Sequence, residues 1–178
     1  MQTSILNLLR KRRSIRQFKP QAVADETIEA LVETAVRTPT SRGRNSWEFV
    51  IVKDRQLLQR LAMAKEHGSA FLSGAPLAIV IAADTRKSDV WIEDCAIAAF
   101  TLQLAAEEMG LGSCWVQIRL RKRADDLTSE DYLKDLLGLS AHHAVECIIG
   151  IGIPAEEKSG HAYANLPFQQ VHIDTFGS

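Results

Sequence analysis

Residues 93–109 read EDCAIAAFTLQLAAEEM, and this stretch predicts a long helix around which the other elements pack. It contains no Pro or Gly, and most of its residues are good helix formers. Gly110 follows directly and suits a left-handed helix end. Between residues 95 and 106 only Thr101 and Gln103 are polar. Because no clear solvent face remains, we expect the helix to be buried on most of its surface.

Two interpretations of this helix stay open from its own residues. It is either an ordinary core helix or a helix shared between the core and a dimer seam, where its alanines would let a second helix approach closely. A membrane span is disfavoured, because the apolar run is too short and has acidic residues at both ends.

The length and composition are typical of a globular protein. The 178 residues can bury a sizeable core, and we expect residues 1–178 to form one domain in which residues from about 155 to 178 are an extended C-terminal tail. The apolar fraction of 46% and the charged fraction of 24% agree with this class. A net charge of -1 gives no bias towards nucleic acid or an anionic membrane, so we expect neither as a partner.

The cysteines and histidines predict no metal site. Cys95, Cys114 and Cys147 are far apart and form no CxxC pair, which argues against a disulfide framework and against zinc. The histidines show no His-x-x-x-His spacing. The cysteine usage fits a reducing compartment, and no secretory signal is visible. We therefore expect a cytoplasmic protein, with an organelle presequence as the alternative, because the first residues are rich in arginine and free of acids.

Strands are predicted at residues 47–53, 77–83, 111–118 and 144–151. Helices are predicted from a cap at Thr3 or Ser4 to near Arg12, from Asp25, from a cap at Asp54 to Gly68, and from a cap at Ser129 through Leu137. The run 77–83 is continuously apolar and predicts a central strand buried on both faces. Alternating strands and helices would ordinarily suggest a Rossmann-like sheet. However, the Gly-rich turn of that fold, the P-loop lysine and the Gly-x-Ser-x-Gly elbow are all missing. The chain thus lacks the marks of a dinucleotide fold, an NTPase or a serine hydrolase.

The strongest local charge lies near the N-terminus, where no acid precedes Asp25. The cations there are Arg10, Lys11, Arg12, Arg13, Arg16 and Lys19. Ser14 stands among them, and arginine forks with a serine hydroxyl are donors that hold a phosphate monoester. A solvated basic helix end explains the same residues equally well, so both interpretations stay open here.

Five segments, taken together and in order, resemble the FMN-dependent nitroreductase family. They are residues 12–16 (RRSIR), 38–42 (TPTSR) leading to 47–49 (WEF), 75–76 (AP), 110–115 (GLGSCW) and 150–158 (GIGIPAEEK). The resemblance implies an α+β fold with a mixed sheet of about four to five strands. It also implies a homodimer whose long central helices form much of the interface, with FMN bound where the subunits meet. On this basis the helix at 93–109 lies at a dimer seam.

The resemblance further implies which residues bind the cofactor. The positions that hold the FMN phosphate and ribityl chain match Arg12, Arg13, Ser14 and Arg16, and a late cation near the phosphate matches Lys158. The loop that reaches the flavin from the other subunit matches Pro39, Thr40, Ser41 and Arg42, with Asn45 beyond them. The strand end along the pyrimidine and N5 side of the flavin matches Gln117, Ile118 and Arg119. This loop is a variant, since the family often has Asn where Gly43 stands, Gln where Asn45 stands and Pro where Ser46 stands.

The function implied by the resemblance is that of an FMN-dependent oxidoreductase. It would take hydride from NADH or NADPH and pass it to an electron-poor acceptor, such as a nitroaromatic, a quinone or an activated alkene. The flavin N5 carries the chemistry, and donor and acceptor would use one site in turn with ping-pong kinetics. We therefore predict no catalytic residue in the protein, and we interpret Cys114 as a small buried residue.

Two other classes of function stand beside this one. The alternative within the same fold is a non-enzymatic protein that binds or senses FMN without useful turnover. A nucleic-acid or membrane binder that uses the basic N-terminal segment is the third class. The near-neutral net charge and the absence of interleaved aromatic residues count against it.

Overall fold

The helices and strands follow the predicted order. The computed structural model describes residues 4–123 and 127–177. The helices in these ranges are α1 Ile5–Lys11, α2 Asp25–Val36, α3 Arg55–Leu61, α4 Trp91–Glu108 and α5 Ser129–Leu137. The strands are β1 Trp47–Val52, β2 Leu77–Asp84, β3 Gly112–Gln117 and β4 His143–Gly152.

The strands form one sheet in the order β1-β2-β4-β3, and every neighbouring pair is antiparallel. The predicted α+β class is confirmed. The sheet is antiparallel where a mixed one was expected, since the parallel pairing seen in the described residues is an isolated bridge between Ser14 and Ser113. β2 lies inside the sheet and all 8 of its residues are buried, as its apolar run predicts.

Helix α4 packs along one face of the sheet and begins at Trp91, two residues before the predicted start. Its inward residues, including Ala99 and Leu102, are fully buried against strand residues such as Ile79. Burial of a leucine side chain stabilises the fold by about 1.5–3 kcal/mol. The outward face of α4 is also apolar, yet Ile97 and Phe100 are 45% and 42% exposed in the single chain. The helix therefore lacks a polar face, as predicted, and presents an apolar stripe to its surroundings.

The other face of the sheet is covered by α3 and α5. α3 ends at Leu61 and not at Gly68, so that prediction was wrong. The Ser69 hydroxyl donates to the carbonyls of Ala62 and Lys65 at 2.8 and 3.3 Å, which satisfies groups that a longer helix would have paired.

Helix α5 also begins differently from the prediction. Its N-terminal cap is Thr128 and not Ser129, because the Thr128 hydroxyl accepts the Asp131 N–H at 3.0 Å. Ser129 is instead fully buried as the first residue of the helix.

The chain leaves the sheet after Pro154 and continues as a tail. In residues 155–177 the regular elements are two short 3-10 turns, Tyr163–Asn165 and Phe168–Gln170. Several large apolar side chains of this tail are exposed, and Phe176 is 93% exposed. Among the described residues, no helix is both long and apolar enough to cross a membrane.

Candidate functional site

The segment that follows α1 is extended and lies beside the start of β3. Ser14 pairs with Ser113 in the parallel bridge, and the Ile15 N–H donates to the Ser113 carbonyl at 3.0 Å. Ile15 packs against Gly112, where an added Cβ would lie 2.8 Å from the Ile15 side chain. Only glycine permits this close approach, so Gly112 helps to seat the segment on the strand.

Side chains alternate along an extended backbone, which places Arg12, Ser14 and Arg16 on the same side. With Lys158 they lie close enough to the Cys114 thiol to influence its pKa, and we call this set the basic cluster: Arg12, Ser14, Arg16 and Lys158. Cys114 is 1% exposed, and its burial raises the pKa of the thiol. The charge of Arg16, the Ser14 hydroxyl and the other two cations act in the opposite direction on that pKa. Cys114 is thus a buried thiol, as predicted, within a concentration of positive charge.

An acid of the tail ties the basic cluster together. Lys158 Nζ donates to the Ser14 carbonyl at 2.9 Å and to Glu156 Oε1 at 3.0 Å. The same carboxylate oxygen accepts the backbone N–H of Arg16 at 2.6 Å and of Gln17 at 3.2 Å. The bond from the Arg16 N–H, followed by that from Lys158, lowers the pKa of Glu156 from its ordinary value of 4.5. Glu156 therefore carries a negative charge at neutral pH and holds the extended segment against the tail.

Arg13 contacts the tail directly. Its guanidinium donates to the carbonyl of Ser159. With Ile15, Glu107, Glu156 and Lys158 it lines a cavity near the C-terminal end of α4. The structure thus brings together Arg12, Ser14, Arg16 and Lys158 from the residues predicted near a phosphate. Arg13 shares a cavity with Lys158, and its guanidinium is bonded to the tail.

The loop at residues 39–45 lies at the other end of α4 and has an unusual backbone. Arg42, Gly43 and Asn45 have φ angles of 53°, 65° and 46°, in the left-handed region. This region costs most residues roughly 1–2 kcal/mol, whereas Gly adopts it freely and Asn tolerates it. The conformation explains why Gly can stand at position 43, where the resembling family often has Asn. Backbone strain of this kind concentrates at functional sites.

Hydrogen bonds within and beneath the loop hold its shape. The Thr40 hydroxyl donates to Asn45 Oδ1 at 3.0 Å and accepts the Asn45 N–H at 3.1 Å. Asp94, in the first turn of α4, accepts the Ser41 N–H at 2.9 Å and is 3% exposed. Sequence reasoning assigned no role to Asp94. The available signal was an acid at the start of an apolar helix, which the helix dipole explains equally well.

The end of β3 is tied to β4 through Gln117. Its side chain accepts the indole N–H of Trp115 at 2.9 Å and donates to the Glu146 carboxylate at 3.1 Å. Ile118 is fully buried in the core on the α3 and α5 side, and its N–H donates to the Glu146 carbonyl at 3.1 Å. A ligand at this strand end can therefore approach Gln117 and Arg119, but it could meet Ile118 only through the backbone.

Glu146 is a second buried acid to which sequence reasoning gave no role. It lies in β4 where the pairing with β2 is irregular. One carboxylate oxygen is bonded to Gln117, and the other has no hydrogen-bond partner among the described residues. Burial, followed by the charges of Glu146 and Asp94, raises the pKa of Cys95 to about 12, so this thiol stays protonated at neutral pH.

The basic cluster and the loop 39–45 are not brought together within one chain. The extended segment lies near Glu107, towards the C-terminal end of α4, and the loop is bonded to Asp94 at the N-terminal end. About 13 helical residues separate these two positions, which corresponds to about 20 Å. Any ligand that uses both regions must therefore draw them from two chains or span the length of the helix.

The basic cluster has the chemistry of an oxyanion site. Two guanidinium groups, an ammonium group and a hydroxyl supply charge-assisted donors of the kind that bind phosphate. The residues present therefore fit the phosphate monoester of FMN. Within residues 4–123 and 127–177, no three His, Cys, Asp or Glu side chains are grouped so that they could hold a metal ion.

Comparisons with known proteins place this chain in a family. The sequence model of the Nitroreductase family matches residues 9–67 and 62–153. The solved structure of an FMN-dependent nitroreductase from Clostridium difficile R20291 is 42% identical in sequence and superposes with a TM-score of 0.94, covering 96% of this chain and 99% of that chain.

Two other proteins extend the comparison. A protein of Archaeoglobus fulgidus, provisionally named NADH dehydrogenase/NAD(P)H nitroreductase, is 32% identical over 157 residues, which are 86% of this chain and 87% of that protein. The structure of the NADPH:FMN oxidoreductase from Vibrio harveyi, solved with NAD+, has a TM-score of 0.82 at 22% identity and covers 98% of this chain and 78% of that one. At this lower identity the likeness concerns the fold alone.

Proposed function

Since the chain belongs to the nitroreductase family, we propose that it is an FMN-dependent oxidoreductase. It takes hydride from NADH or NADPH and passes it to an electron-poor acceptor, such as a nitroaromatic, a quinone or an activated alkene. The observation that carries the proposal is the basic cluster, in which three cations and a serine converge on the start of β3.

The basic cluster would hold the FMN phosphate. Arg12 and Arg16 offer planar forks, Lys158 offers a point charge, and Ser14 offers a hydroxyl, so a dianion finds donors from several directions. Glu156 keeps these groups in place by bonding to the Arg16 N–H and to Lys158. The phosphate is thus met by a fixed backbone at Arg16 and by an ammonium group that is already positioned, which reduces the entropy lost on binding.

The strand β3 leads from the basic cluster towards the groups proposed to meet the flavin ring. Trp115 and Glu146 bond the side chain of Gln117, so this side chain is fixed where the strand ends. Arg119 follows it and is partly exposed. Bound FMN supplies the hydride chemistry at its N5 atom, whereas these residues supply position and a fixed electrostatic environment.

The proposed enzyme is a homodimer in which each site draws on both chains. The apolar stripe on α4, with Ile97 and Phe100, provides the seam. If two α4 helices pack antiparallel across it, the N-terminal end of one lies beside the C-terminal end of the other. Pro39, Thr40, Ser41, Arg42 and Asn45 of one chain would then cover the flavin held by the basic cluster of its partner. Obligate interfaces of this kind commonly bury more than about 2,000 Å².

Donor and acceptor would use one space above the flavin in turn, which gives ping-pong kinetics. The residues of the chain would bind and orient both molecules and exclude water, and none needs to act as a nucleophile. Cys114, the thiol among the basic-cluster residues, is buried and its pKa is raised by that burial, so it is poorly suited to attack a substrate.

Absorbance spectroscopy tests the proposal. The purified protein, loaded with FMN, should show a bound-flavin spectrum that bleaches rapidly when NADH or NADPH is added without oxygen. Colour should return when a nitroarene, a quinone or an enone is added, and parallel double-reciprocal plots would support the ping-pong order. A protein that binds FMN but does not bleach would be a flavin-binding protein without turnover. A protein that binds no flavin would contradict both functions.

A further inference from the structure

We propose that Asp94 is a positioning residue, which holds the loop 39–45 in its binding conformation through the Ser41 N–H. This inference rests on the proposed function for its consequence, because the loop is expected to meet flavin bound to the partner chain. The contact itself is independent of flavin. Asp94 lies in the first turn of α4, and one of its carboxylate oxygens is 2.9 Å from the Ser41 nitrogen.

The burial of Asp94 makes this contact strong. The side chain is 3% exposed, and its second oxygen lies 3.5 Å from the buried hydroxyl of Ser88. The guanidinium of Arg44, in the same loop, bonds Asp89 at 2.9 Å. A buried carboxylate needs hydrogen-bond donors, because removal from water is costly. The Ser41 N–H is therefore a principal partner of this charge, and the two groups stabilise each other.

The loop needs such an anchor because its backbone is strained. Arg42 and Asn45 occupy the left-handed region without being glycine, and a conformation of this kind persists only when its surroundings hold it. The bonds between Thr40 and Asn45 close the loop on itself. Asp94 ties the closed loop to helix α4.

The position of Asp94 also connects the loop to the proposed seam. Ile97 and Phe100 follow it on the same helix, one and two turns further along. When α4 packs against α4 of the partner chain, the loop 39–45 of the first chain lies close to the flavin held by the partner. Loss of the Asp94 contact should release the loop while the seam stays intact.

Limited proteolysis of the flavin-free protein tests the contact. Trypsin can cut after Arg42 and Arg44, which flank the loop centre. In Asp94→Ala we expect cleavage at these two bonds to be at least about tenfold faster than in the wild type, with other sites unchanged. Glu93→Ala is the matched control, because Glu93 is an exposed acid in the same helical turn. Asp94→Asn keeps an oxygen that can accept the Ser41 N–H, and it should restore most of the protection. Equal cleavage of the wild type and Asp94→Ala would overturn the proposal.

Hydrogen exchange provides a test that needs no variant and therefore survives a folding failure of Asp94→Ala. In the flavin-free wild type, the Ser41 amide should exchange at least about tenfold more slowly than the neighbouring Arg42 amide. Similar rates for both amides would contradict the Asp94 contact.

Flavin titration then tests the consequence for function. Because the loop is proposed to meet the ring, Asp94→Ala should weaken FMN and riboflavin equally, by about tenfold, in a protein that still sediments as a dimer. If trypsin cuts the variant faster but both flavin affinities are unchanged, the positioning role is wrong. If the wild type binds no flavin at all, the proposed function fails, and the protease result still decides whether Asp94 holds the loop.

Discussion

The two ends of α4 are built on opposite principles. At the C-terminal end, the basic cluster concentrates positive side chains on a regular extended backbone, and the acid that ties it, Glu156, lies near the surface. At the N-terminal end, the loop 39–45 has an irregular left-handed backbone, and the acid that holds it, Asp94, is buried. One end is thus specified by side-chain charge and the other by backbone shape.

This contrast suggests that the two ends of α4 recognise different parts of the proposed ligand. A charged cluster recognises a dianion such as phosphate and is sensitive to the loss of a cation. A shaped loop recognises a surface such as a flat ring and is sensitive to the loss of its conformation. Changes at the two ends should therefore be distinguishable by comparing FMN with riboflavin, which lacks the phosphate.

The largest effect should come from separating the two ends. Phe100→Glu places a charge in the apolar stripe of α4, where it would be buried in the seam. We expect the dimer to dissociate in sedimentation and the affinity for both flavins to fall at least about 100-fold, which is about 2.7 kcal/mol. Met63→Glu is the control, since Met63 is also an exposed apolar residue but lies outside the stripe. A flavin-loaded monomer of the wild type or of Phe100→Glu would show that one chain suffices to bind flavin.

At the charged end, Arg16→Ala should weaken FMN about 10- to 150-fold, because a charge-assisted hydrogen bond contributes on the order of 1.5–3 kcal/mol. Riboflavin should bind almost as before. Arg13→Ala provides the comparison, because the Arg13 guanidinium is already bonded to the Ser159 carbonyl and should contribute less to phosphate binding. Titrations of the wild type, Arg16→Ala and Arg13→Ala with FMN and with riboflavin measure these affinities. Equal losses for FMN and riboflavin with Arg16→Ala would assign Arg16 to the ring or to the fold.

At the shaped end, Gly43→Ala should lower the free energy of unfolding by about 1 kcal/mol, because alanine is strained at a φ of 65°. Among the described residues, apart from the two next to it in the chain, none has an atom within 4 Å of a Cβ placed at Gly43, so we expect no crowding. Gly43→Asn should cost only a few tenths of a kcal/mol, since Asn tolerates this conformation. Denaturant unfolding at equilibrium measures both variants. Equal losses of unfolding free energy in Gly43→Ala and Gly43→Asn would argue against a left-handed backbone conformation at residue 43.

The smallest effect should be the pH dependence linked to Glu156. Its pKa is lowered in the folded state, mainly by the Arg16 N–H, so the unfolded chain binds more protons between the folded pKa and 4.5. The stabilisation is complete above pH 4.5 and is lost as the pH falls through the folded pKa. Glu156→Gln should therefore be less stable than the wild type at neutral pH, and the difference should shrink in acid. Urea unfolding of both proteins across this range checks the trend, and a constant difference would contradict it.

Much of the fold could be predicted because it depends on local patterns. The apolar run at 77–83 predicted a buried central strand, and β2 is buried throughout. The boundaries were less secure where distant groups decide them, as at the end of α3, where the Ser69 hydroxyl replaces helical pairing. The predicted mixed sheet was another such case, because strand direction depends on how connections cross the sheet rather than on the residues within a strand.

The candidate site divides in the same way. Resemblance supplied the residues of the basic cluster, and extended geometry explains why Arg12, Ser14 and Arg16 share a side while Arg13 does not. Lys158 stands more than one hundred residues after Arg16 in the chain, so the fold of the residues between them decides whether it belongs to the basic cluster. Asp94 was missed because an acid at a helix start has an adequate local explanation.

The sequence by itself therefore determined the helix at 93–109, the buried strand, the family and the positive charge near the N-terminus, since each depends on residues that are close together in the chain. Only the tertiary structure decided the antiparallel strand order, the separation of the basic cluster from the loop 39–45 along α4, and the bond from Ser41 to Asp94. These features join residues that are distant in sequence, and they exist only after hydrophobic burial has fixed α4 against the sheet.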